Sequence, residues 1–457
     1  MKTMNVAIIG YKFMGKAHSN AWRAAPYFFD LDIRPVLKVA CGRTKEPLKE
    51  FADRWGWEEI ETDWRKVVTR SDIDIVDISL PPNLHYEVAI EAAKSGKHIF
   101  CEKPLAMDYR QAKEMYETVE KAGVVHYLNH NYRRCPAVML AKRLIDEGKI
   151  GRVFHWRGAY LQSWIVDPNF PLTWHLRKEI AGSGPQGSIN SHSVDLARFL
   201  VGEIKTVTGM SAQFIKERPL PDETASGTFK GIVKGTEKGK VTTEDAIFML
   251  VQFVNGALGS FEATLFATGR KNYNYFEIYG SKGSLAFNFE RMNELEFFSR
   301  DDPDYAQGFR TILATEGVHD YIAAWWPPGH IIGYEHEHTH GVVDFLKAIA
   351  SGGKVAPNFY DGMKCQQVLD AGLKSAETGR GSRWSESGSD RAFARVRKAC
   401  RVSRRPAQLG ERVPERARRH LDHFHRGGEA LHREPRVDDV DDKHLRDPGD
   451  HRLLKER

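Results

Sequence analysis

Asn5-Val6-Ala7-Ile8-Ile9-Gly10-Tyr11-Lys12-Phe13-Met14-Gly15-Lys16-Ala17-His18 is the stretch on which the fold turns. Asn5 to Ile9 is a short apolar run ending at a glycine, the pattern of a strand buried on both faces. Gly10 to Gly15 is a glycine-containing turn, and a helical stretch after it closes at Pro26. Strand, glycine turn and helix in that order are the context of a dinucleotide fingerprint. Gly10 is suited to the tight turn and Gly15 to close packing of helix on strand. The unpaired N–H groups of the first helical turn would meet a pyrophosphate. Lys12 stands where the fingerprint has its middle glycine, so the motif is weaker than its full form.

The chain on either side alternates in the same way. Strands are predicted over Arg34–Cys41, Ile73–Leu80 and His98–Cys101, with a helix over Tyr86–Ser95. Such alternation implies an α/β unit with a doubly wound parallel sheet. Ligands then sit beyond the carboxyl ends of the strands. The loops there hold the candidate cofactor-binding residues Gly10, Phe13, Met14, Gly15, Arg43, Thr44, Pro81, Asn83, His85, Glu102 and Lys103. The second strand ends in Cys41-Gly42-Arg43-Thr44-Lys45, without the acidic residue that binds the ribose of NAD. Arg43 and Lys45 could pair with a 2′-phosphate, so NADP is favoured over NAD.

At 457 residues and 41% hydrophobic composition, the chain can build two domains without disulfides or structural metal. No apolar run approaches the roughly 20 residues that span a bilayer. Met1-Lys2-Thr3-Met4 leads directly into Val6, leaving no room for a signal peptide. The five cysteines are scattered and odd in number. A cytoplasmic protein with reduced thiols and no membrane partner is expected. The net charge of +6 comes from residues 380–457, where 18 Arg and 3 Lys face 14 acidic residues. The body before them is neutral, so charge gives no argument for a nucleic-acid partner. The composition of 380–457 cannot build a core and matches GC-rich DNA read in a shifted frame. A disordered tail, with a frameshift near residue 380, is the expectation.

Four patterns occur in order: Gly10 to His18, Pro82-Asn83-Leu84-His85, Glu102-Lys103-Pro104 and His192-Ser193-Val194-Asp195. With them the chain, from about residue 4 to 379, resembles the Gfo/Idh/MocA oxidoreductases. The resemblance implies a Rossmann domain followed by an α/β domain with a large, mostly antiparallel open sheet. It further implies NAD(P)-dependent hydride transfer at a sugar or cyclitol carbon, and assembly as a homodimer or homotetramer. Lys103 matches the family's lysine beside the nicotinamide, and His192 its active-site histidine. Removing a hydride from a carbinol needs a base for the O–H proton. His192 is the expected base, with an unperturbed pKa of about 6.5, and Lys103 its proton-sharing partner. Asp195, three residues on, lies on the same helix face and is expected to orient the imidazole. The family's usual aspartate four residues before the histidine is replaced by Ser188, which cannot serve as a carboxylate. A redox-assisted glycosidase or lyase, and a catalytically weakened NAD(P)-binding protein, are the alternatives.

The expected division is 1–128 for dinucleotide binding, 129–379 for substrate binding and oligomerisation, and 380–457 for the tail. In the second part, Ile247–Phe253 and Ala257–Phe266 flank an Asn255-Gly256 turn, a hairpin signal. Phe276–Tyr279 and Ser284–Phe289 read as another. Tyr132, Arg133, Tyr160, Gln162, Trp164, Trp174, Arg177 and Tyr334 are candidate pocket residues. Arg133, Trp164, Ser188 and His192 are the assigned substrate contacts. His336-Glu337-His338-Thr339-His340 has the look of a metal site, but the helix expected from about Val342 makes it a loop or helix start, and no metal is assigned. A helix over Tyr360–Glu377 closes the body.

Overall fold

Residues 2–128 fold as six short parallel strands with helices between them. The structure is a computed structural model and describes residues 2–221, 233–380 and 382–383. The strands are β1 (Lys2–Ile9), β2 (Ile33–Cys41), β3 (Glu59–Glu61), β4 (Ile75–Ile78), β5 (His98–Cys101) and β6 (His126–Leu128). Their order is β3-β2-β1-β4-β5-β6, the doubly wound arrangement with its crossover beside β1. Alternation along β1 explains its unbroken apolar run. Val6 and Ile8 pack with Trp22, Phe100 and Phe345 on one face. Ala7 and Ile9 pack with Val76, Val88 and Met115 on the other. Both faces are covered from Val6 to Ile9, so each of these four positions is apolar. The helix Phe13–Phe28 carries Pro26 inside its last turn rather than ending there.

The turn after β1 is set by sterics. Gly10 has φ +115°, and a Cβ there would lie 2.4 Å from the Ser79 carbonyl oxygen. A Cβ on Gly15 would lie 2.4 Å from the Gly10 carbonyl oxygen, so the helix sits tight on the turn. Lys12 has φ −84°, so the turn does not call for the positive φ that would favour a glycine there.

The second sheet uses β7 (Val153–Leu161), β8 (Ile204–Ala212), β11 (Ala246–Phe253), β12 (Leu258–Thr264), β13 (Tyr273–Gly280), β14 (Gly283–Asn288), β15 (Glu294–Ser299), β16 (Arg310–Leu313) and β17 (Ser382–Arg383). The strands β9 (Glu217–Pro221) and β10 (Val233–Lys240) pair separately. The nine run in the order β16-β15-β14-β13-β7-β12-β11-β8-β17. Neighbours are antiparallel except β7 and β12. Both hairpins expected from sequence form, with Ala246 opposite Thr264 and Tyr279 opposite Ser284. In β11, Ile247, Met249 and Val251 are buried under the helices Asn190–Leu200 and Phe359–Thr378. Phe248 and Leu250 point the other way and are 46% and 67% exposed.

The helix Tyr334–Ser351 returns to the first sheet, where Val342, Val343, Phe345 and Leu346 join the core around β1. His336 to His340 therefore lie within its first turns rather than in a loop. Ser382 and Arg383 pair with Val207 and Thr206 as an edge strand, at two positions where disorder is expected from sequence. The tail and frameshift expectations for 384–457 lie outside the described residues. No helix among the described residues is long and apolar enough to cross a membrane.

Candidate active site

The glycine turn, the Arg43 loop, the Pro81–His85 loop and the Glu102–Pro104 loop all leave the carboxyl ends of adjacent strands. No side chain caps the helix Phe13–Phe28, so its first N–H groups are open to a ligand. Turn and helix end together fit a pyrophosphate. Arg43 and Thr44 are exposed. The Tyr11 ring lies over Gly42, where a Cβ would be 2.2 Å from it. Phe13 stacks on Tyr334 with ring centres 6.2 Å apart, walling the turn. Asn83 Oδ1, in the next loop, is buried without a hydrogen-bond partner.

Lys103 and His192 come from different halves of the chain. Lys103 follows β5, and its Nζ donates to the Ser188 backbone carbonyl at 2.8 Å. Burial lowers its proton affinity from the usual lysine range, against the opposing charge of Glu102. The Ser188 hydroxyl donates to the Gly184 carbonyl at 2.9 Å, so it closes its own turn. His192 lies four residues on, at the start of the helix Asn190–Leu200. Its ring stacks on Tyr132 at 4.1 Å, and its Nδ1 is buried without a partner. Burial and the Lys103 charge push His192 well below its usual value, so it stands as a neutral imidazole. A neutral imidazole lowered in this way is a weak base and keeps one ring N–H for hydrogen bonding.

A polar chain runs away from His192. The Tyr132 and Tyr160 hydroxyls are 2.6 Å apart, and Tyr160 donates to Asn272 Oδ1 at 2.7 Å. Gln162 Nε2 also donates to Asn272 Oδ1 at 2.7 Å, and Trp164 Nε1 donates to Gln162 Oε1 at 2.9 Å. Four of the candidate pocket residues therefore meet. Asn272 joins them without any signal in the sequence, since it is one polar residue in a loop between strands. Trp174 stacks on His175 at 3.6 Å, and Arg177 flanks the short helix Lys178–Ala181.

Four sequence assignments change. Asp195 does not orient His192. Its carboxylate accepts from Arg133 Nε at 2.7 Å and from an Arg133 terminal nitrogen at 2.6 Å. Arg133, assigned as a substrate contact from sequence, is correspondingly held by this carboxylate. It is 4% exposed and also bonds Asp361 at 3.0 Å. His85 does not face the cofactor loops' open side. It is fully buried, with its ring nitrogens against the Pro104 and Leu80 carbonyls at 3.0 and 2.8 Å. The Glu102 carboxylate points inward to His18 and Asn129. In each case a buried polar group takes the partner that satisfies it, which is costly to forgo.

His18, Glu102 and His338 bring three potential ligand atoms within 4.8 Å of one another. Asn129 Nδ2 already occupies their centre, 3.0 Å from His18 Nε2, 2.6 Å from Glu102 Oε1 and 2.9 Å from His338 Nδ1. An amide donor stands where a cation would have to sit.

A phosphate-receiving turn beside an amine and a neutral imidazole defines a dinucleotide-dependent oxidoreductase. Residues 4–130 match the oxidoreductase family with an NAD-binding Rossmann fold, and 138–286 match the GFO/IDH/MocA C-terminal domain. Levoglucosan dehydrogenase of Pseudarthrobacter phenanthrenivorans is 46% identical over 82% of this chain and 97% of its own. An oxidoreductase domain protein from Kribbella flavida is 47% identical, with TM-score 0.80 over 84% of this chain and all of its own. A levoglucosan dehydrogenase complex with NADH and levoglucosan is 44% identical, with TM-score 0.79 over 84% of this chain and 99% of its own. The chain belongs to the Gfo/Idh/MocA oxidoreductase family. It is an oxidoreductase with an NAD-binding Rossmann domain, and named relatives act on sugars and cyclitols.

Proposed function

We propose that the protein is a dehydrogenase that oxidises a ring hydroxyl of a sugar or cyclitol, with anhydro sugars such as levoglucosan as the first class to test. The observation that carries this reading is the meeting of Lys103 and His192 through the Ser188 turn, beside the Tyr132–Tyr160–Asn272–Gln162–Trp164 chain. When bound, the dinucleotide supplies the hydride acceptor. Oxidation of a carbinol also releases a proton. Lys103 takes it at Nζ, because burial raises the fraction of neutral amine. His192, as a neutral imidazole, donates its one ring N–H to the hydroxyl oxygen and fixes its direction, leaving the hydroxyl proton free for Lys103. The hydroxyls and amides of the polar chain hold the remaining ring hydroxyls, and the faces of Tyr132 and Trp164 meet ring C–H groups. The relatives at 44–46% identity support this substrate class.

Either dinucleotide is expected to bind. The NADH in the relative's complex supports NAD(H), and the exposed Arg43 with no acid at the end of β2 supports NADP(H). Fluorescence titration with NADH and NADPH tests both. Arg43→Ala is expected to weaken NADPH binding roughly tenfold and to leave NADH binding nearly unchanged. Turnover of a polyol panel follows. Tight cofactor binding with no turnover of any sugar, anhydro sugar or cyclitol would defeat the dehydrogenase reading.

Two further readings accompany it. Met210 and Phe248 face each other across β8 and β11, and with Leu250 and Leu258 they form an exposed apolar patch on the open sheet. Monomers rarely leave such a patch bare. A second copy of this chain is its proposed cover, giving a homodimer or homotetramer. Sedimentation equilibrium is expected to report that size, and a monomer at micromolar concentration would refute it. Four buried free thiols, Cys41, Cys101, Cys135 and Cys365, support a reducing cytoplasmic setting.

A further inference from the structure

Behind Lys103 lies a buried row of polar groups that hydride transfer does not use. His18 is fully buried on the helix Phe13–Phe28. Its Nδ1 is 2.8 Å from Asp77 Oδ1, and its Nε2 is 2.9 Å from Glu102 Oε1. Asp77 also accepts from Trp22 Nε1 at 2.6 Å. Glu102 Oε1 accepts from Asn129 Nδ2 at 2.6 Å, and Glu102 Oε2 accepts the Lys103 backbone N–H at 3.2 Å. Asp77 lies in β4, Glu102 directly after β5 and Asn129 directly after β6. The row therefore ties three strand ends to one helix.

Each His18 nitrogen faces a carboxylate, and the two hydrogens of Asn129 Nδ2 can serve Glu102 and His338 alone, so the imidazolium, donating from both nitrogens, is the form that satisfies the row. Burial opposes that charge, but Asp77 and Glu102 outweigh it and raise His18 to about 10. Burial alone would raise Glu102, yet the bond and charge of His18 hold it at about 2. Two carboxylates around one imidazolium leave a single negative charge, which is tied to the Lys103 backbone N–H and acts on the Lys103 ammonium through space. The other groups facing Lys103 are Cys365 on the helix Phe359–Thr378 and four histidines: His130, His175, His192 and His338. Burial keeps the four imidazoles neutral and raises the Cys365 thiol, so Glu102 is the charge that Lys103 meets. His338 also faces His18, with ring centres 5.6 Å apart, and is itself neutral.

We propose that His18 is a positioning residue for Lys103, acting through Glu102, which it fixes as an oriented carboxylate beside the lysine. The proposal rests on Lys103 as the proton-transfer group of the reaction proposed above. Its consequence has a definite sign. Without the imidazolium, buried Glu102 takes up a proton. Lys103 then loses its opposing charge, and its own proton leaves at lower pH.

The test follows the Lys103 side chain by NMR of the full chain labelled with 13C-lysine, its signal assigned from Lys103→Arg. His18→Gln and Glu102→Gln are each expected to lower the Lys103 midpoint by about one pH unit. The double variant should fall no further than either alone. The pH profile of sugar oxidation should move the same way. A wild-type midpoint in His18→Gln overturns the proposal, because a merely structural histidine would leave it in place. If that variant fails to fold, 15N-histidine spectra of the wild type decide. A buried histidine that keeps both ring N–H protons at pH 8 supports the proposal, and His18 protonated on one nitrogen there overturns it. Neither spectrum needs turnover, so an inactive wild type would defeat the dehydrogenase reading and leave this one separately decided.

Discussion

Lys103→Ala is expected to lower sugar oxidation by about 10²- to 10⁴-fold, the range that a positioned proton-transfer group contributes. Dinucleotide binding should change little. The amine makes one hydrogen bond to the protein, to the Ser188 carbonyl. The loop itself is held by the Glu102 carboxylate on the Lys103 backbone N–H, which alanine retains. Steady-state turnover and NADH fluorescence, measured on the same preparation, separate the outcomes. Full activity in Lys103→Ala would remove the lysine from proton transfer. Joint loss of activity and NADH binding would mean that the strand-end loop had collapsed.

Asp195→Ala is expected to destabilise the protein by about 3 kcal/mol or more, the cost of breaking a buried ion pair by removing one partner. Arg133 is the group left behind. Its guanidinium makes two bonds to Asp195 and one to Asp361, and lies 4.9 Å over the Phe199 ring. Asp361 remains, so the charge is not wholly abandoned, and the lower end of the usual range applies. Asp195→Asn keeps the shape and one acceptor and should cost less. Urea unfolding measures both. A loss below about 1 kcal/mol in Asp195→Ala would show that water or Asp361 replaces the carboxylate. The pH profile of turnover should be the same in Asp195→Asn as in wild type, since Asp195 does not touch His192. A shifted profile would restore the orienting role that its position on the helix suggests.

The first sheet was readable because its signals are local. The apolar run before Gly10 and the spacing to Gly15 express contacts within one strand, one turn and one helix. The strand His98–Cys101 has the same ends in sequence and structure. The Asn255-Gly256 turn announced its hairpin for the same reason, with Gly256 at φ +89°. Short β3 and β6, three residues each, carry too little pattern to be seen. The helix expected from about Val342 begins earlier, at Tyr334, so His336–His340 form its start. A histidine-rich start to a helix breaks the apolar period, yet Val342, Phe345 and Leu346 hold that helix on the first sheet.

Lys103, His192, Tyr132, Tyr160, Gln162 and Trp164 could be nominated from sequence, but not their partners. Asp195 and His192 share a helix face three residues apart, and proximity along the chain suggested a pair. Arg133, 62 residues away in sequence, takes the carboxylate instead, and Asp361 reaches the same guanidinium from 228 residues away.

By itself, the sequence determined the strand–turn–helix unit, the parallel sheet built on it, the second sheet's hairpins and the lysine at the end of β5. The first three follow from periodicity or backbone sterics over a few residues, and the lysine from the resemblance carried by Glu102-Lys103-Pro104. Only the tertiary structure decided which buried charges pair, that Asn129 fills the space between His18, Glu102 and His338, and that His192 stands as a neutral imidazole. Those outcomes depend on desolvation, and burial is a property of the packed chain: a carboxylate or imidazole removed from water takes whichever partner the fold brings within 3 Å.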